Sequence, residues 1–137
     1  MGQHHNDPQI IAKLLTTKSR WAVVGLTNNP YRVAPHIAAF MRDELGMDII
    51  PVSLTGEDVL GEQGYRSLAE IPGHIDVVNC FVNSHKVGAI VDEAIAVGAK
   101  ALWLQLGVID EAAAARAKDA GLDVVMNTCP KIEYPLL

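Results

Sequence analysis

The stretch from Arg20 to Arg32, RWAVVGLTNNPYR, constrains the fold of this chain more than any other. The four apolar residues Trp21 to Val24 are too few for a helix and lack helical spacing, so they predict a buried strand. Gly25 ends it. Thr27, Asn28, Asn29 and Pro30 are turn formers, and beyond them Ile37, Phe40, Met41 and Leu45 recur at helical spacing. Strand, polar loop, helix is the predicted order. In an open α/β sheet such a crossover brings loop amides and the positive end of a helix to the carboxyl edge, where an anionic ligand can sit.

The same alternation runs through the rest of the chain. Asp7-Pro8 reads as an N-cap with proline in the first helical position, followed by Ile10, Ile11, Leu14 and Leu15 on one helical face. The helix after the first strand starts near Pro35, runs to Leu45 and stops at Gly46. Met47 to Val52 is a second strand, with Pro51 expected at its end because proline lacks a ladder donor. Ser53 to Tyr65 is polar, contains Gly56, Gly61 and Gly64, and is long enough to rim a site. Ser67-Leu-Ala-Glu70 matches a capping box and predicts a short helix ended by Pro72-Gly73. Ile75 to Phe81 is a third strand, and a helix from about Lys86 ends at Gly98. Lys100 to Leu104 is a fourth strand, Asp110 to Ala120 a helix capped by Gly121, and Leu122 to Met126 a fifth strand. Pro130 and Pro135 predict an irregular tail. The reading is an α/β chain: a doubly wound parallel sheet of about five strands in a three-layer, Rossmann-like sandwich. Residues 1–137 are expected to form a single domain, with no linker or internal repeat.

Composition narrows the function classes. Half the residues are hydrophobic but only 5% aromatic, which suits helices packed on a parallel sheet. The net charge of -5 leaves no basic footprint for nucleic acid. No segment has the roughly 20 uninterrupted apolar residues of a membrane helix, and Met1 to Pro8 is polar, so the expected location is the cytoplasm. Cys80 and Cys129 are far apart and form no CxxC pair, which argues for free thiols and against a zinc site. His4 and His5 read as part of a weakly ordered polar terminus, in preference to a metal-binding pair.

Ligands of such sheets bind just beyond the strand ends, so the residues to weigh are 25–32, 51–55, 81–86, 105–108 and 127–131. They show no Ser-His-Asp or Cys-His spacing, which favours binding over catalysis. The G-x-G-x-x-G fingerprint is missing after Gly25, and Val52-Ser53 stand where a ribose-binding acid would end the second strand. Ordinary NAD binding is disfavoured. A pyrophosphate on the amides of Thr27 to Tyr31 remains open, with the Thr27 hydroxyl as donor and Arg32 as fixed charge; so does a turn merely shaped by Thr27 and Asn28. Trp103 and Cys80 read as core residues, His85 as a surface or capping residue ahead of a base, and Cys129 as a small turn residue ahead of a thiol partner.

Several motifs, in order, carry a resemblance: Gly25-Leu-Thr-Asn-Asn-Pro-Tyr-Arg32, Ile50-Pro-Val52, Gly61-Glu62, Ser67-Leu-Ala-Glu-Ile-Pro72, Ile75-Asp-Val-Val78, Trp103-Leu-Gln-Leu-Gly107 and Cys129-Pro-Lys-Ile-Glu133. Together they resemble the small standalone CoA-binding proteins, Rossmann-like domains similar to the CoA-binding domain of the succinyl-CoA synthetase α subunit. The resemblance spans nearly the whole chain, from about Ile10 onward. It implies a coenzyme A or acyl-CoA ligand with its diphosphate on Gly25, Thr27, Asn28, Asn29, Pro30, Tyr31 and Arg32. Pro51, Val52 and Ser53 would flank the adenosine on one side and Phe81, Val82 and Asn83 on the other, with Gln105 and Gly107 along the pantetheine. Where the family often carries basic residues, this chain has Val82 and Thr128; Lys86, Arg20 and Lys131 are the candidates to restore that charge. The expected function is non-catalytic CoA binding. The alternatives are a nucleotide- or acyl-CoA-dependent enzyme subunit that needs a partner chain, and an interaction module that has lost its ligand. A homo-oligomer remains open.

Overall fold

The computed structural model describes residues 3–137; Met1 and Gly2, the start of the polar stretch read above, lie outside the described residues. Strands β1 (Arg20–Val24), β2 (Asp48–Val52), β3 (Val77–Cys80), β4 (Ala101–Leu104) and β5 (Asp123–Val125) form one parallel sheet. Its order is β2-β1-β3-β4-β5. The winding therefore reverses between β1 and β3, the point at which sheets of this kind can open a crevice at their carboxyl edge. Helices α1 (Pro8–Thr16), α2 (Ala34–Asp43), α3 (Ser84–Ala96), α4 (Glu111–Asp119) and α5 (Pro130–Glu133) cover the two faces.

Alternation along each strand sorts the core into two layers. Ala22, Val24, Ile50, Val52, Val78, Cys80, Leu102 and Leu104 pack with Val87 and Val91 of α3 and the alanines of α4. Trp21, Val23, Ile49, Val77 and Trp103 pack with Ile11 and Leu15 of α1 and Ile37 and Met41 of α2. Both faces are buried, so the strands read as continuous apolar runs. Trp103 is the core residue the sequence suggested. It is fully buried, its Nε1–H donates to the Thr128 carbonyl at 2.8 Å, and its ring lies 5.6 Å from that of Trp21. Burial also pushes the Cys80 thiol up to about 12, so it stays protonated at neutral pH.

Pro51 is tolerated because β2 is an edge strand. Its carbonyl accepts from the Tyr65 N–H at 2.9 Å on the outer side, the side to which its missing donor would point. Ser53 N–H in turn donates to the Tyr65 carbonyl at 3.1 Å, so Tyr65 extends the sheet edge by one bridge to Val52. Asp7 caps α1 as predicted, accepting from the Gln9 N–H at 2.8 Å.

Three local expectations are corrected. The capping box does not form: Ser67 makes no capping bond, Glu70 accepts from the Arg66 N–H at 3.1 Å, and only a 3-10 turn, Leu68–Glu70, results. The reason is local: the Glu70 N–H, the donor the Ser67 hydroxyl would need, goes to the Ser67 carbonyl at 3.3 Å and closes a 3-10 turn, while Glu93 of α3 separately takes the Leu68 N–H at 3.0 Å. The tail is not irregular: Pro130 starts α5 and Pro135 sits near the start of a 3-10 turn, positions where a missing N–H removes nothing. The segment before α1 is tied down. Asn6 accepts from the Met126 N–H at 2.8 Å and donates to the Met126 carbonyl and Thr128 hydroxyl, each at 2.9 Å, and so covers the edge of the sheet beyond β5. His4 is held with it, its N–H donating to Glu111 at 2.7 Å.

At the amino edge, Asp76 joins the starts of β1 and β4. It accepts from the Arg20 N–H at 2.9 Å and lies 3.2 Å from His74 and 3.5 Å from Lys100. Burial pushes its carboxyl up, but the Arg20 amide and the charges of His74 and Lys100 outweigh this and hold it below the usual carboxylate value. A carboxyl depressed by folding stabilises the protein above its unfolded pKa, about 3.9. That contribution is lost as pH falls through the folded pKa. Asp76→Asn is expected to lower stability by about 1–2 kcal/mol at pH 7. In urea unfolding at stepped pH, the gap to the parent protein should close in acid; a gap that is constant down to the lowest pH would refute this account.

Candidate functional site

Gly25 makes the site possible. It has φ +90°, a backbone region that side chains avoid, and a β-carbon there would stand 2.4 Å from the Phe81 carbonyl oxygen. The Gly25 N–H still reaches the Val52 carbonyl at 2.8 Å, and the Phe81 N–H reaches Val24 at 2.9 Å. The chain thus leaves the sheet abruptly while its two neighbours hold it from both sides.

The turn that follows is knit from its own residues. The Asn29 N–H donates to the Thr27 hydroxyl at 3.2 Å, the Tyr31 N–H to the Asn29 side chain at 3.0 Å, and the Arg32 N–H to the Asn29 carbonyl at 3.1 Å. Asn28, Asn29, Pro30, Tyr31 and Arg32 are exposed, Tyr31 at 94%. No side chain caps α2 at Val33.

Beside this turn lies a cleft of about 360 Å³. One wall is Val24 to Thr27. The second is Val52 to Thr55 with Glu57, and the third is Arg66 to Leu68 together with Ile90 and Glu93 of α3. Its floor is apolar and its rim carries Arg66, Glu57 and Glu93. The Glu93 carboxylate is engaged by the Leu68 N–H.

Of the residues read from the sequence, the structure brings Gly25, Thr27, Val52 and Ser53 to this cleft. Pro51 is buried behind it. Asn28 adjoins it through Glu57, whose Oε1 accepts from its N–H at 3.2 Å. Asn29, Pro30, Tyr31 and Arg32 lie outside the lining, as do Phe81, Val82 and Asn83, which lead from β3 into α3. Gln105 is buried with its Oε1 unpartnered among the described residues, and the Gly107 N–H donates to Asn127 at 2.7 Å. Both stand beyond β4, away from the cleft.

The cations proposed to compensate for Val82 and Thr128 are also sorted. Arg20 is at the wrong edge, its guanidinium donating to the Pro72 and His74 carbonyls. Lys131 stands 6.0 Å from the Phe40 ring centroid, on the α2 side. Lys86 is exposed in the first turn of α3. Thr128 is buried and bonded to the Met126 carbonyl at 2.9 Å, so it serves the fold. The cation at the cleft is Arg66, which sequence reasoning missed. Its signal was slight: the glycines at 56, 61 and 64 allow the reversals that fold residues 53–65 back onto β2. Gly56, Gly61 and the non-glycine Leu60 all have positive φ there.

Over residues 19–135 the chain matches the family described as CoA binding domain. It belongs to that family. The Bacillus subtilis protein YneT is 36% identical over 124 residues, covering 90% of this chain and 91% of YneT. A solved structure of a Pyrococcus horikoshii protein is 32% identical, with TM-score 0.90, covering 100% of this chain and 99% of that one. The α subunit of an ADP-forming acetate–CoA ligase II from Pyrococcus furiosus is 32% identical over 56 residues, which is 41% of this chain but 12% of that subunit. The CoA-binding family therefore fits the Rossmann-like sheet described above. Among the described residues, no helix is long and apolar enough to cross a membrane, and no group of three or more His, Cys, Asp or Glu side chains could hold a metal.

Proposed function

We propose that this chain is a single CoA-binding domain that holds coenzyme A or an acyl-CoA, without catalysis, at the carboxyl edge of its sheet in the cytoplasm. The observation that carries the reading is the cleft itself: it opens at the carboxyl edge of the sheet, between the Gly25 turn and the end of β2, in a chain of the CoA-binding family. In this reading the diphosphate lies along Gly25 to Arg32, with the Thr27 hydroxyl and the Asn28 amide as donors. The adenosine rests on the apolar floor near Val52 and Ser53, with Phe81, Val82 and Asn83 on its far side. Pantetheine then runs toward Gln105 and Gly107. Arg66 supplies the positive charge that Val82 and Thr128 do not.

Isothermal titration with CoA, acetyl-CoA and dephospho-CoA tests it. A ligand at a hundred times its dissociation constant should also stabilise the protein by about 2.7 kcal/mol. If none of the three gives heat or raises the melting temperature at millimolar concentration, the reading is wrong. Arg66→Ala is expected to weaken CoA about tenfold, the value of one charge-assisted contact. The exposed Arg32 offers a separate check: Arg32→Glu with unchanged affinity would remove its guanidinium from the site.

A further inference from the structure

The donors assigned above to the diphosphate are already in use. Glu57 Oε1 accepts from the Asn28 N–H at 3.2 Å and from the Thr27 hydroxyl at 3.4 Å. The next carbonyl, that of Asp58, accepts from the Asn28 side chain at 2.9 Å. A carboxylate and a phosphate oxygen make the same demand on an N–H or O–H donor, and a strong charge-assisted bond is about 2.7–2.9 Å long. The Glu57 contacts are longer than that, so the turn is held by an anion that a phosphate can better.

We propose that Glu57 is a built-in competitor for the phosphate site: its carboxylate covers the Thr27 and Asn28 donors until a ligand phosphate displaces it. Glu57 then sets the affinity of the site for every phosphate-bearing ligand. The inference rests on the proposed function for where the diphosphate lies.

The surroundings indicate what moves. The Gly56 N–H is bonded to the Ser53 carbonyl at 3.1 Å and to its hydroxyl at 3.2 Å. Val59 and Glu62 exchange two backbone bonds, at 3.1 and 2.9 Å, and the Gly64 N–H is held by Asp58 at 2.9 Å. Gly64 lies so close that a β-carbon on it would stand 1.9 Å from the Glu57 carbonyl oxygen. The backbone around Glu57 is thus pinned, and displacement is a rotation of the Glu57 side chain within the cleft it lines. After rotation its charge remains near the phosphates, opposed there only by Arg66 among the cleft residues. Affinity stays below what the donors alone would support.

The test compares the parent protein, Glu57→Gln and the exposed control Glu44→Gln, which removes the same charge at a distance from the site. Each is titrated with inorganic pyrophosphate and with CoA. Glu57→Gln is expected to bind both about tenfold more tightly, and Glu44→Gln to change affinity by no more than about twofold. Pyrophosphate binding to Glu57→Gln no tighter than to the control, or absent, overturns the proposal. Equal CoA affinity in Glu57→Gln and the parent overturns it too and leaves the proposed function standing. Tight pyrophosphate binding to Glu57→Gln with no CoA binding does the reverse. Should Glu57→Gln fold poorly, the parent decides: its Asn28 amide resonance must shift in a proton–nitrogen correlation spectrum as pyrophosphate is added, and an unmoved resonance at millimolar pyrophosphate overturns the proposal.

Discussion

Gly25→Ala is expected to destabilise the protein by about 3–5 kcal/mol and to abolish ligand binding by the protein that remains folded. Two separate strains add at this position. The first is the φ of +90°, unfavourable for any residue with a β-carbon. The second is contact, because that β-carbon would meet the Phe81 carbonyl oxygen at 2.4 Å and its carbon at 3.1 Å. Neither partner can retreat, since both strands are locked to their neighbours through the Gly25 and Phe81 amides. Gly61→Ala separates the two strains. Gly61 has φ +76° but nothing within 4 Å of the place a β-carbon would take, so its cost should stay near 1 kcal/mol, roughly. Urea unfolding of both variants gives the comparison, and equal losses would mean that close approach to β3 is not what requires a glycine at 25.

Trp103→Ala should cost a similar 3–5 kcal/mol, roughly, for a different reason. The side chain is fully buried in the centre of the sheet against Trp21, and its removal opens a cavity under α1 and α2 that the surrounding strands cannot close. It also strands the Thr128 carbonyl, which now accepts its indole N–H. Trp103→Phe keeps most of the volume and loses that bond, with an expected loss of about 1–2 kcal/mol. A Trp103→Ala protein within about 1 kcal/mol of the parent in urea would show that the core does not depend on this side chain.

The elements were legible where the signal is local. Asp7-Pro8 announced α1, and Gly46, Gly98 and Gly121 each follow a helix with positive φ. The apolar run from Trp21 to Val24 and the polar turn after Gly25 stood out for the same reason: backbone preference and hydrophobic periodicity act over a few residues. Expectations failed where the motif's groups found other partners. Ser67-Leu-Ala-Glu70 has every residue of a capping box, yet the Glu70 side chain turns to the Arg66 amide and the Glu70 N–H closes a 3-10 turn on the Ser67 carbonyl. His4 reads as part of a loose terminus because nothing near it in sequence marks Glu111 as its partner, or Met126 as that of the adjoining Asn6.

The amino-acid order alone was enough to specify a parallel, doubly wound sheet and the glycine-ended first strand that leads into the site, because both follow from short-range pattern. Strand order, the return of residues 53–68 to the edge of β2, and with it the arrival of Glu57 and Arg66 at the cleft, were decided by tertiary structure. The Val52–Tyr65 bridge closes a long loop, and the Glu57–Asn28 contact joins that loop to a turn from which α2 and β2 separate it in sequence. No periodicity encodes such a closure, since its free energy comes from the contacts made at the end of the loop and not from the residues within it.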